Sequence, residues 1–95
     1  MTISPESIRA CQRIRAGIGS VMGRIIAEVA EECGISPATI LGRDKTAPIA
    51  RARQIVMFEA RKAGFSLTQI GRVLGRDHTT ILAGIRREIE RRAAE

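Results

Sequence analysis

Residues 66–87 read SLTQIGRVLGRDHTTILAGIRR, and few folds accept that order of residues. Ser66 is placed to cap a short helix. Its buried face is Leu67, Ile70, Val73 and Leu74, which recur at helical spacing. Gly71 falls where a second helix must come close, because a larger side chain there would hold the two apart. Gly75 follows four residues later, where a turn between helices needs a residue tolerant of positive φ. Ile81 then opens a second apolar face, continued by Leu82 and Ile85. A small residue, a turn glycine four later and an aliphatic six after that is the spacing of a helix-turn-helix. An ordinary helical hairpin with a glycine turn would show the same packing, so the charge has to arbitrate.

Lys and Arg number 16 against 10 Asp and Glu, a net charge of +6. Residues 1–41 hold Arg9, Arg13, Arg15 and Arg24 against Glu6, Glu28, Glu31 and Glu32, so the whole excess sits in residues 42–95. A basic field confined to one half favours a polyanion, duplex nucleic acid ahead of an anionic membrane. A solubilising surface would explain the charge alone. Together with the glycine spacing, the charge points to DNA.

The rest of the chain predicts helices and no strand of useful length. Aromatics are 2% of the residues, Phe58 and Phe65, so the core must be aliphatic, which suits small packed helices. Ser4-Pro5 reads as a helix start, with Ile8, Cys11, Ile14 and Ile18 on one face. Gly17, Gly19 and Gly23 predict a break near residues 17–20. A second stripe runs from Val21 through Met22, Ile25, Ile26, Val29 and Ala30 to a stop at Gly34. Ser36-Pro37 opens a short helix ending at Leu41-Gly42, residues 42–48 (GRDKTAP) read as a basic loop, and a helix with Ile49, Ile55, Val56, Phe58 and Ala60 stops at Gly64. The expected fold is an all-α bundle, with residues 1–20 as a helical appendage to a domain over 21–95.

No apolar run approaches the ~20 residues needed to span a bilayer, and the N-terminus has no apolar signal-peptide core. Cys11 and Cys33 are isolated thiols without a His cluster, so no structural metal is expected and a reducing cytoplasm is the expected location.

Core packing does not require the five residues Arg76, Asp77, His78, Thr79 and Thr80 that open the second helix of the pair. A helix N-terminus offers N–H groups and a positive dipole end to phosphate. Asp can accept from cytosine, Thr can donate or contact the thymine methyl, and His can do either. Capping by Asp77 is compatible with base reading, since a carboxylate has two oxygens.

GRDHTT followed by an aliphatic pair resembles the C-terminal DNA-binding domain of the bacterial replication initiator DnaA. The resemblance takes in Ala50-Arg51-Ala52-Arg53-Gln54, the helix over 55–63, Ser66-Leu67, Ile70-Gly71 and residues 86–90, about residues 21–92 in all. It implies an all-α, Trp-repressor-like fold that binds a short asymmetric double-stranded DNA box. By that resemblance Asp77, His78 and Thr79 face major-groove bases, and Thr80 and Arg76 lie near phosphates. Arg53 and Gln54 hold the backbone, with Arg51 beside them. Lys45 falls where the family has its minor-groove arginine, with Arg43 close by. The chain departs from the family pattern in its shorter turn before the signature, at Thr68, at Lys45 and at Ala83-Gly84. These departures leave the fold as expected and the preferred box open.

The sequence contains no GxxxxGK[ST] loop and no constellation for nucleophilic or acid–base catalysis, so neither enzyme activity nor a cofactor is expected. The reading is of a free-standing, cytoplasmic, nucleoid-associated, sequence-specific DNA-binding protein, first of all a transcription regulator of bacterial or prophage genes. An origin-binding accessory comes second, and an all-α adaptor whose first helix docks a partner comes third. RNA polymerase or a replication protein would be the further partner; the oligomeric state is open.

Overall fold

A computed structural model describes residues 20–95. Those residues form five α-helices and no strand: α1 (Ser20–Cys33), α2 (Pro37–Leu41), α3 (Ala47–Lys62), α4 (Leu67–Leu74) and α5 (His78–Ala94). The helix expected from Ser4, with Ile8, Cys11, Ile14 and Ile18, lies outside the described residues, as do Gly17 and Gly19. α1 is helical from Ser20 and runs through Gly23 without a break.

Local chemistry explains several of these elements. Met22, Ile26, Val29 and Ala30 recur along one buried face of α1, while Arg24, Glu28, Glu31 and Glu32 are exposed. α2 is short and capped: the Ser36 hydroxyl accepts from the Thr39 amide at 3.1 Å, and Pro37 fills the first position, where no amide is needed. α3 begins at Ala47 with Pro48 in its first turn, so the loop expected over 42–48 ends two residues sooner. Proline is tolerated in a first helical turn, and its presence therefore did not mark the loop's end. Ser66 and Gln69 cap α4 reciprocally, with the Ser66 hydroxyl accepting from the Gln69 amide and the Gln69 side chain accepting from the Ser66 amide.

α3 packs against each of the other four helices. Its Ala52, Val56, Met57 and Ala60 share one core with Met22 and Ile26 of α1, Ile40 of α2, Ile70 and Leu74 of α4, and Ile81 and Ile85 of α5. No aromatic ring is buried there; Phe65 packs at the edge. Burying each large aliphatic side chain contributes about 1.5–3 kcal/mol. Gly84 lets α5 close onto α3, because a Cβ there would lie 2.3 Å from Met57 Sδ.

Candidate nucleic-acid interface

α4, the turn and α5 form the helix-turn-helix that the glycines predict. Gly75 takes the left-handed conformation, φ 68° and ψ 36°, and its amide donates to the Gly71 carbonyl. The Arg76 amide donates to the same oxygen at 2.9 Å. Gly71 is needed for a slightly different reason from the one expected: a Cβ there would sit 2.4 Å from the Arg76 carbonyl oxygen. The close neighbour is the backbone of the turn entering α5, not the side of that helix.

Asp77 caps α5. Its Oδ1 accepts from the Thr80 amide at 2.9 Å and from the Thr79 hydroxyl at 2.6 Å. Those two bonds, the Thr79 hydroxyl first, lower the Asp77 pKa to about 2, so the cap is an anion at neutral pH. Ile81 is fully buried directly behind it, which anchors the first turn of α5. Asp77, His78, Thr79 and Thr80 are all exposed on that anchored turn. Beside it lies a shallow cleft of about 360 Å³ lined by Thr68, Gly71, Arg72, Gly75, Arg76, Asp77 and His78.

The loop over 42–46 approaches the same turn. Asp44 folds it internally, its Oδ1 accepting from the Thr46 amide and the Thr46 hydroxyl, each at 2.8 Å. These bonds, the backbone amide first, hold the Asp44 pKa below its ordinary value. Arg43 and Lys45 are left exposed on the loop. Arg76 donates to the Leu74 carbonyl at 2.5 Å and across to the Gly42 carbonyl at 3.0 Å, so it ties the turn to the loop.

A bacterial dnaA protein helix-turn-helix family matches residues 22–87, which include α2 to α4, the turn and the part of α5 that bears these groups. The chain belongs to the bacterial DnaA helix-turn-helix family. It is similar to DnaA 1 of Chlamydia trachomatis serovar D, 38% identical over 63 residues, covering 65% of this chain and 14% of that protein. DnaA of Xanthobacter autotrophicus is 40% identical over 65 residues, covering 66% of this chain and 13% of the relative. DnaA of Cereibacter sphaeroides is 42% identical over 62 residues, covering 63% of this chain and 14% of the relative. The chain thus spans only 13–14% of the length of these initiators. The DnaA helix-turn-helix is a DNA-binding element, and α4 and α5 are that element here.

Within this DnaA-type domain the expected residues divide. Residues 77–80 and the pair Arg43 and Lys45 are exposed around the α4–α5 turn and the loop tied to it. Arg53, expected to hold the DNA backbone, points inward: it is 4% exposed, and its guanidinium donates to the carbonyls of Ile40 at 2.7 Å, Gly42 at 2.8 Å, Thr39 at 3.2 Å and Asp44. The cause is helix phase, since residue 53 lies on the face of α3 that carries Ala52, Val56 and Ala60. Gln54 is half-buried, and its Oε1 accepts from Arg91 at 2.8 Å. Arg51 is exposed, 3.8 Å from Glu95.

The sequence reading also missed a polar cluster on α5. Glu88 is 4% exposed and pairs with Arg91 and, at 2.8 Å, with Arg92. Arg92 lies over the Phe58 ring, 4.1 Å from its centroid, and reaches Glu59 at 3.3 Å. The basic end of α5 is therefore partly a structural clasp between α5 and α3. Among the described residues no group of His, Cys, Asp and Glu could hold a metal, and no helix is long and apolar enough to cross a membrane.

Proposed function

We propose that this chain is a sequence-specific double-stranded DNA-binding protein that regulates transcription of bacterial or prophage genes. The observation that carries the DNA reading is the exposed set Asp77, His78, Thr79 and Thr80 on a first helical turn anchored by Ile81. Asp77, His78 and Thr79 reach base edges in the major groove, and Thr80 lies at phosphate. Arg43 and Lys45 follow the backbone into the neighbouring minor groove, while Arg51 and Gln54 border the same backbone. Residues 21–95 serve as the binding domain and residues 1–20 as its appendage, in a nucleoid-associated cytoplasmic protein. Transcription control needs only a bound domain and a polymerase contact. Lys45, a point charge in place of a planar fork, supports a site other than the initiator's own box.

The relatives carry the name chromosomal replication initiator protein, and that observation favours a second reading, an accessory that binds origin boxes and alters initiator loading. Genome-wide occupancy in the native host separates the two. Promoter-proximal occupancy, with changed transcripts on deletion, supports the regulator. Occupancy confined to the origin, with altered initiator loading and unchanged transcripts, supports the accessory.

A further inference from the structure

We infer that Arg53 and Arg76 are positioning residues: a two-guanidinium clamp that sets the 42–46 loop against the start of α5 and serves DNA binding through that loop, without touching DNA. This rests on the DNA-binding reading above. Both side chains converge on one atom, the Gly42 carbonyl oxygen, with Arg53 Nη2 at 2.8 Å and Arg76 Nη2 at 3.0 Å. Arg53 comes from α3 and extends to the carbonyls of Thr39, Ile40 and Asp44, so it gathers the end of α2 and the loop. Arg76 comes from the turn before α5 and also holds the Leu74 carbonyl, so it joins that turn to the gathered loop.

The donor count explains why the clamp needs arginines. Arg53 offers five N–H donors in a planar fork and is buried among four carbonyl acceptors. A lysine would present a point charge with no such span. The two cations repel across the shared carbonyl; burial first, and then the Arg76 charge, lowers the Arg53 pKa from its ordinary value. Among the described residues neither arginine forms an ion pair with a carboxylate, so the arrangement secures loop geometry and not charge neutralisation. With Asp44 turned onto Thr46, the cations that the fixed loop presents outward are Arg43 and Lys45.

Arg76→Lys tests this, because it keeps the charge and removes the fork at a half-buried position. Arg76→Lys, Lys45→Ala and the double variant are titrated by anisotropy against duplex DNA over a salt series, with circular dichroism and melting to verify the fold. The clamp predicts that each single change weakens binding about tenfold, the scale of one charge-assisted contact. The double variant then binds little worse than either single one, because the two residues act through the same loop. Amide exchange at residues 42–46 of the unbound protein quickens in Arg76→Lys. A phosphate contact by Arg76 predicts the opposite: Lys nearly restores binding, Lys45→Ala costs the same in both backgrounds, and loop exchange is unchanged. Any of those three results overturns the clamp. Arg53→Lys, if folded, reproduces the Arg76→Lys pattern, and undiminished binding by it would likewise overturn the clamp. A folded wild-type protein that binds no duplex overturns the DNA reading and the clamp with it, and shows itself before any variant is made.

Discussion

Asp77 joins two tasks in one carboxylate. Oδ1 holds the Thr79 hydroxyl and the Thr80 amide, and this keeps the group ionised down to a pKa of about 2, against an ordinary 3.8. Because the folded-state value lies below the unfolded one, protonation favours the unfolded chain. The cap's contribution is complete above about pH 4, near the unfolded carboxyl value, and is lost as pH falls toward the folded one. Asp77→Ala is thus expected to lower Tm more at pH 7 than near pH 2; equal losses would show that ionisation of the cap contributes nothing to stability. His78 is exposed beside it and carries no packing role, so His78→Ala leaves Tm unchanged. Its expected effect is a loss of about 1–3 kcal/mol in discrimination between preferred and scrambled duplexes. Equal weakening on both would show that His78 reads no base.

At the level of helices, two glycines carry close contacts of different hardness. An alanine Cβ at Gly71 meets a backbone oxygen 2.4 Å away, which cannot yield without moving the turn. At Gly84 it meets the end of the flexible Met57 side chain. Gly71→Ala is expected to cost at least ~2 kcal/mol in urea unfolding, the overpacking scale, and to weaken DNA binding with it. Gly84→Ala recovers about 1 kcal/mol of helix propensity as Met57 shifts, and falls near neutral. Similar losses for both would contradict this ordering. The helix-turn-helix was legible in the sequence because apolar phase, Gly75 and the Ser66 cap all agree over residues 66–87. Arg53 and Glu88 were not read correctly, although their phase was visible: residue 53 precedes Val56 by three, and residue 88 follows Ile85 by three. The resemblance put Arg53 at the DNA backbone and Glu88 drew no packing role, where phase put both on buried faces. The acceptors of Arg53 and Arg76 are backbone carbonyls, which leave no trace in a sequence. Glu88→Ala, which unpairs Arg91 and Arg92, is expected to cost about 2 kcal/mol, less than a fully buried pair because both arginines remain partly hydrated.

Across the whole molecule, not every cation behind the basic charge of residues 42–95 can meet a polyanion directly. Arg91 and Arg92 are engaged with Glu88, and the Arg53 guanidinium is engaged inside the loop. Arg43, Lys45, Arg72, Arg86 and Arg87 are exposed and in no ion pair among the described residues. Lys45→Ala is therefore expected to weaken binding to all duplexes and to flatten the dependence of log K on log salt by about one unit. An unchanged slope would remove Lys45 from the interface. The decisive measurement is anisotropy of the wild-type protein on a duplex selected from a random library and on its scrambled counterpart, over a salt series. Sequence reading by the start of α5 predicts a preference of at least ~10³ for the selected duplex, with affinity falling linearly in log–log salt. Equal affinity for the two duplexes, or no binding to either, would contradict it.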